Sequence, residues 1–120
     1  MTYEPACALD DLEVNSPSRL IVGGVAMAVV RTPEGVFAVN DRCSHADVSL
    51  SEGEVEGCTL ECWLHGSAFD LRTGVPLTPP AIRPVDTYPV RVIGEGADAS
   101  VEIDPVPHVR DTDAPVEDSP

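Results

Sequence analysis

Two short stretches of the sequence each combine a cysteine with a histidine. The first reads Cys43-x-His45, and after sixteen intervening residues the second reads Cys62-x-x-His65. Together they offer two thiolates and two imidazoles, the sulfur and nitrogen ligands that proteins use for zinc and iron centres. A lone cysteine or histidine in a small domain is usually a core or surface residue, but two mixed pairs in tandem are much harder to reach by chance. We therefore predict a metal centre held by these four side chains.

The spacing leaves two kinds of metal centre open. Zinc sites commonly use Cys-x2–4-Cys and His-x3–5-His pairs, whereas each pair here mixes the two residue types. The single residue between Cys43 and His45 also leaves little room for both side chains to bind one tetrahedral ion. A two-iron cluster relaxes this constraint, because the two cysteines can bind one iron and the two histidines the other. A cluster and a structural zinc-binding module are therefore the two alternatives.

The wider run of residues 62–74, taken with Cys43-x-His45, resembles the signature of Rieske-type 2Fe–2S ferredoxins, in particular the small soluble bacterial ones that serve oxygenases. The resemblance extends over about residues 3–104. It implies one Rieske 2Fe–2S cluster, bound by two cysteines on one iron and two histidines on the other: Cys43, Cys62, His45 and His65.

This resemblance also implies a function. The chain would be a soluble electron-transfer protein that carries one electron between a ferredoxin reductase and a non-haem iron oxygenase, meeting both through their basic surfaces. It would be an electron carrier and not an enzyme. An oxygenase needs a further iron on two histidines and a carboxylate, and only His108 remains after the cluster takes two. An accessory redox role in iron–sulfur cluster assembly is the alternative function.

Two departures from the membrane-complex members of the family concern the surroundings of the cluster. Those proteins carry an additional disulfide, at positions that are Val48 and Leu64 here. Their tyrosine that bonds a ligand sulfur is replaced by Phe69, whereas their serine donor is retained as Ser67. Fewer hydrogen bonds to the sulfurs imply a potential in the lower part of the Rieske range of about −150 to +300 mV.

The composition restricts the class of partner. The chain has 120 residues and a net charge of −14, and all seven of its cations are arginine. Such acidity opposes binding to nucleic acid and favours electrostatic steering toward a basic protein face. No signal peptide is visible, and the apolar stretch Leu20–Val30 is too short to span a bilayer. We expect a cytoplasmic monomer that binds neither nucleic acid nor membrane.

Short strands separated by glycine and proline turns must position the ligands. No segment shows sustained helical periodicity. The pattern predicts an all-β fold, a Rieske-like antiparallel β-sandwich or partly closed barrel with a cluster-binding subdomain formed by two loops. The predicted strands cover residues 2–8, 19–22, 25–31, 36–39, 58–61, 67–70, 88–93 and 99–103.

Residues outside the ligand pairs complete the sequence prediction. We expect one Rieske domain over residues 1–104 and an acidic, proline-rich, disordered tail over residues 105–120. The stiff segment Leu77–Ala81 contains two prolines, and the resemblance places it against the cluster. Cys7 is expected to be a small core residue and Cys58 a spare thiol.

Overall fold

A computed structural model describes residues 3–42, 49–63, 67–78 and 84–107. These residues form ten β-strands and three 3₁₀ turns, and they contain no α-helix. Accordingly, no helix of this part of the chain has the length and apolar character needed to cross a membrane. The strands are β1 (Glu4–Ala8), β2 (Pro17–Val22), β3 (Val25–Thr32), β4 (Gly35–Asn40), β5 (Glu54–Glu56), β6 (Thr59–Glu61), β7 (Ala68–Asp70), β8 (Thr87–Tyr88), β9 (Val90–Ile93) and β10 (Ser100–Ile103).

The strands form three antiparallel sheets. The first sheet has the order β1-β10-β9, the second β2-β3-β4-β8 and the third β5-β6-β7. The 3₁₀ turns follow β1 (Leu9–Asp11), precede β5 (Leu50–Glu52) and join β9 to β10 (Gly96–Asp98). The prediction of an all-β antiparallel fold is confirmed.

Strand β3 shows why the second sheet lies in the middle. All four residues from Met27 to Val30 are 0% exposed. Successive side chains of a strand point to opposite faces, so Met27 and Val29 pack toward the first sheet, and Ala28 and Val30 toward the third. A strand buried on both faces reads as a continuous apolar run, as this one does.

The hairpin between β2 and β3 turns through Gly23 and Gly24, the two residues between the predicted strands 19–22 and 25–31. Val22 pairs with Val25 across a two-residue turn, and both glycines have positive φ, +57° and +82°. Positive φ at both central residues is the type I′ geometry, whose twist matches that of the flanking strands. The C-terminal part of the described chain packs onto this turn, because Pro105 lies directly beside Gly23.

We expect Gly23→Ala to destabilise the protein more than Gly57→Ala. The two glycines have nearly equal φ, +57° and +59°, so alanine costs about 1 kcal/mol of backbone strain at either. An added Cβ at Gly23 would lie 2.7 Å from the Cγ of Pro105, whereas at Gly57 it would meet nothing within 4 Å. Overpacking should add about 1 kcal/mol or more at Gly23 alone. Denaturant unfolding followed by circular dichroism measures the difference, and equal losses of stability would show that Pro105 does not rest on the turn.

Two sequence predictions about strands need correction. The single strand expected over residues 88–93 is divided at Pro89, which has no N–H to donate to a ladder. Before it, β8 pairs with β4 in the second sheet, and after it β9 pairs with β10 in the first. The region 49–57, in which the sequence predicts no strand, contains the short strand β5, which pairs with β6.

Candidate metal centre

Only one of the four predicted ligands, Cys62, lies within the described residues. Cys43, His45 and His65 fall in the segments 43–48 and 64–66, which lie outside them. Among the described residues, no three Cys, His, Asp or Glu side chains are close enough to hold a metal ion together. The ligand set therefore stays a prediction, and the described part of the site consists of Cys62 and the residues that flank both ligand pairs.

Cys62 occupies a buried position directly after β6. It is 1% exposed, and Leu60, two positions earlier on the same face of the strand, is fully buried. Its backbone N–H donates to the carbonyl oxygen of Ser67 at 2.7 Å. This bond joins the two residues that enclose the segment 63–66 and so fixes the chain on both sides of the second ligand pair.

The flanks of the first ligand pair are also joined. Arg42 and Ser49, on either side of the segment 43–48, form an isolated antiparallel bridge. Leu50 donates its backbone N–H to the carbonyl oxygen of Asp41, and its side chain is fully buried in the same core cluster as Cys62. The fold therefore brings the flanks of both ligand pairs against one core cluster, between the second and third sheets.

The chemistry of the donor set fits a 2Fe–2S cluster. Two thiols and two imidazoles are the ligands of a Rieske centre. Cys62 contributes a free thiol, with no disulfide, in a pocket of aliphatic and aromatic side chains that excludes water. Burial of this kind protects a cluster ligand from hydrolysis and exchange.

The chain that leads into the proline-containing segment is held against β7. Leu77 donates its N–H to the carbonyl oxygen of Ala68 at 2.7 Å, and the N–H of Ala68 donates to Oγ1 of Thr78 at 2.9 Å. Ala68 directly follows Ser67, so the entry to the proline segment lies beside the flank of the second ligand pair. Residues 79–83 lie outside the described part, and the prediction that the prolines face the cluster stays a prediction.

Ser67 and Phe69, the two residues that the resemblance places near the sulfurs, are both buried, with 1% and 0% exposure. Phe69 pairs with Leu60 across the third sheet and shares the core cluster of Cys62. The ring is therefore in the surroundings of the second ligand pair. Its expected proximity to Cys43 stays a prediction, since Cys43 is outside the described residues.

The two thiols outside the predicted ligand set, those of Cys58 and Cys7, both have raised pKa values. Burial raises the pKa of Cys58, and the nearby carboxylate of Glu34 raises it further. Burial, followed by the charge of Asp11, also raises the pKa of Cys7. Because the thiolate is the metal-binding form, a raised pKa disfavours ligation. Cys58 is buried and Cys7 is half-buried, and their expected roles as a spare thiol and a small core residue stay predictions.

The outer surface of the third sheet is acidic. Glu54, Glu56 and Glu61 project from it and are exposed, and Glu54 stands directly opposite Glu61 on the neighbouring strand. Like charges in directly opposed positions are destabilising, and no described residue forms an ion pair with any of the three. We call these three glutamates the acidic face.

Two large apolar side chains are exposed beside the flanks of the second ligand pair. Trp63, which directly follows Cys62, is 50% exposed, and Leu77 is 54% exposed. The backbone N–H of Leu77 donates a hydrogen bond to the carbonyl oxygen of Ala68. Trp63 and Leu77 therefore both lie in the chain around the second ligand pair. Exposed aromatic and aliphatic side chains of this kind are frequent at protein contacts.

Sequence reasoning missed one residue of the site, Asp41. Its side chain is buried and accepts two hydrogen bonds. A charged residue between a buried strand and a ligand pair is the only signal that the sequence offers for such a role.

The comparisons with known proteins agree with this arrangement. A family model described as "Rieske [2Fe-2S] domain" matches residues 2–89. The chain is 38% identical over 101 residues to the anthranilate 1,2-dioxygenase ferredoxin subunit of Burkholderia cepacia, and the match covers 84% of this chain and 90% of that protein.

Two solved structures extend the likeness to three dimensions. The ferredoxin of carbazole 1,9a-dioxygenase from Nocardioides aromaticivorans IC177 has a TM-score of 0.77 and 32% identity, over 88% of this chain and all (100%) of that one. A chain from the complex of reduced oxygenase and oxidized ferredoxin in carbazole 1,9a-dioxygenase has a TM-score of 0.79 and 31% identity, over 90% and 97% of the two chains. Sequence and fold agree, so this chain, an electron carrier with one 2Fe–2S cluster, belongs to the Rieske [2Fe-2S] domain family.

Proposed function

We propose that this chain is the ferredoxin component of an oxygenase system, carrying one electron from a ferredoxin reductase to a non-haem iron oxygenase. The observation that carries the proposal is the match to a dioxygenase ferredoxin subunit over nine-tenths of that protein's length. The match therefore extends over nearly all of that small ferredoxin subunit.

Cys43 and Cys62 are the proposed ligands of one iron, and His45 and His65 of the other. When bound, the cluster accepts and releases one electron, at a higher potential than an all-cysteine cluster because neutral imidazoles replace two thiolates. Cys62 presents its sulfur from a position shielded by the core between the second and third sheets. The hydrogen bond between Cys62 and Ser67 holds the flanks of His65 together.

The proposed partners meet the chain through basic surfaces. A net charge of −14 gives long-range attraction to a basic face, and the acidic face lies on the same small sheet that leads into Cys62. Trp63 and Leu77 supply apolar contact area beside the second ligand pair. Steering by charge followed by apolar contact suits a carrier that must bind and release two partners in turn.

Electron transfer in a reconstituted system tests this function. The holo-protein is added to a ferredoxin reductase with its reduced nicotinamide and to a Rieske oxygenase of the anthranilate type, and product formation is followed. We expect turnover to depend on the added chain. Turnover should fall as salt rises from about 0.1 to 1 M, because the screening length shrinks from about 10 to about 3 Å.

Variants that replace a carboxylate by the corresponding neutral amide show which carboxylates contribute to the association rate. Glu54→Gln with Glu56→Gln should lower the association rate with the reductase. The matched control, Glu95→Gln with Asp98→Asn, removes the same charge from exposed positions at the β9–β10 connection and should change the rate less. An association rate that is independent of salt would mean that the acidic surface serves solubility alone.

We further propose a cytoplasmic monomer that consists of one domain over residues 1–104 and a tail over residues 105–120. The free thiols of Cys7 and Cys58 support a reducing compartment. The contact of Pro105 with Gly23 lies where the proposed domain and tail meet.

A further inference from the structure

The carboxylate of Asp41 connects the chain before the first ligand pair with the chain after it. Its Oδ1 accepts the backbone N–H of Ser51 at 2.8 Å, and its Oδ2 accepts the Nε–H of Arg19 at 3.0 Å. The side chain of Asp41 is 6% exposed, whereas that of Arg19 is 53% exposed. Both carboxylate oxygens are therefore engaged, one by the residues after the segment 43–48 and one by strand β2.

Backbone bonds of the same residue reinforce this connection. The N–H of Asp41 donates to the carbonyl oxygen of Ala26 in β3 at 3.1 Å, and its own carbonyl oxygen accepts the N–H of Leu50. Bringing the two ends of a segment together costs conformational entropy, which these bonds must offset. Hydrogen bonds to a buried carboxylate are among the stronger ones available for this purpose.

We propose that Asp41 is a positioning residue for the 2Fe–2S cluster, which fixes the ends of the segment 43–48 and thereby the places from which Cys43 and His45 present their ligand atoms. This rests on the proposed ligand set, in which the segment supplies one ligand to each iron. Asp41 itself does not bind the cluster. Without its carboxylate, the contact between Asp41 and Ser51 opens more often, and we expect the cluster to lose iron faster as a result.

The rate of iron release separates this role from a general contribution to stability. Holo-proteins carrying Asp41→Ala and Asp104→Ala are mixed with a ferrous chelator and a reductant under native conditions. Asp104 is the matched control because it is equally buried, 3% against 4% exposed, and its Oδ1 also accepts a backbone N–H, that of Val106. It follows β10 in the first sheet, which carries neither ligand pair.

We expect Asp41→Ala to release iron about tenfold faster than the wild type, or more, because two hydrogen bonds to a charged group are lost. Its electron paramagnetic resonance g-values should shift or broaden. Asp104→Ala should stay within about twofold of the wild-type release rate even where its unfolding midpoint falls equally. Wild-type release and g-values in Asp41→Ala, or equal acceleration in both variants, would overturn the proposal.

Asp41→Asn keeps the test decisive if the alanine variant does not fold. Its amide oxygen can still accept the N–H of Ser51, but its amide nitrogen cannot accept from Arg19. Iron release should then be about threefold faster, and an unchanged rate overturns the proposal. The ligand set is tested separately in a protein with Asp41 intact: a Rieske signal that survives His45→Ala refutes the ligand assignment, whatever the Asp41 variants do.

Discussion

Replacing Cys62 by alanine is expected to abolish the visible absorption and the electron paramagnetic resonance signal of the 2Fe–2S cluster. The side chain is 1% exposed and lies in the core between the second and third sheets, and alanine has no atom that could replace its sulfur as a ligand. One iron would be left with an open coordination position, and an incompletely ligated cluster is lost. Iron content measured after purification should fall to the background of the assay.

Cys58→Ala is the matched control for this variant. Cys58 is also buried and free, four positions earlier in the chain, but it is not one of the proposed ligands. We expect the full cluster spectrum in Cys58→Ala, with at most a small loss of stability from the lost packing. A Rieske signal in Cys62→Ala, or its loss in Cys58→Ala, would contradict the assignment of the thiolate ligands.

The three histidines of the sequence allow the same design for the imidazoles. His45→Ala and His65→Ala should lose the Rieske signal, and His108→Ala should keep it, because His108 lies beyond the predicted domain. All three variants remove one imidazole. A difference between their cluster signals would therefore reflect the proposed ligand role of His45 and His65.

The second large effect that we expect is a loss of folding stability in Gly53→Ala. A Cβ built on Gly53 would lie against the carbonyl oxygen of Glu61 and 3.0 Å from its carbonyl carbon. Both atoms belong to the backbone of β6 and cannot rotate away. Because Glu61 directly precedes Cys62, relief of the clash must move the strand that carries a predicted ligand. We expect a loss of about 3 kcal/mol or more, or a chain that does not fold.

The strain of alanine at Gly53 is purely steric, since its φ of −86° is open to any residue. Gly57→Ala in the same small sheet is the opposite case, with φ of +59° and open space around the added Cβ. Unfolding midpoints and iron content of the two variants should therefore separate clearly. A Gly53→Ala protein with near-wild-type stability and iron content would show that the turn 50–53 is not pressed against β6.

The sequence identified the chemistry of the site because ligand types and their spacing are local properties. Two mixed Cys and His pairs need no knowledge of the fold to indicate a metal centre, and the surrounding motif indicated the family. The hairpin at Gly23-Gly24 was predictable for the same reason, since a type I′ turn depends on its own two residues. The strand over residues 25–31 was likewise predictable, because its β-branched and apolar residues follow one another directly in the chain.

The roles of Asp41 and Gly53 could be seen only in the folded chain. Asp41 bonds Arg19, 22 residues away, and Ser51, 10 residues away, and no periodicity in the sequence encodes such pairings. Gly53 reads as an ordinary turn glycine, yet the required absence of a side chain comes from the carbonyl oxygen of Glu61 on another strand.

What the sequence by itself determined is the metal-binding residue pattern, the all-β class, the acidic charge and the family resemblance. The tertiary structure alone decided that β3 is buried between two other sheets, that Pro89 divides one predicted strand between two sheets, and that Leu50 and Cys62 share one core cluster. The physical reason is that strand pairing and core packing join residues far apart in the chain. Their partners are chosen by the summed fit of whole sheets, whereas ligand type and turn geometry are set within a few residues.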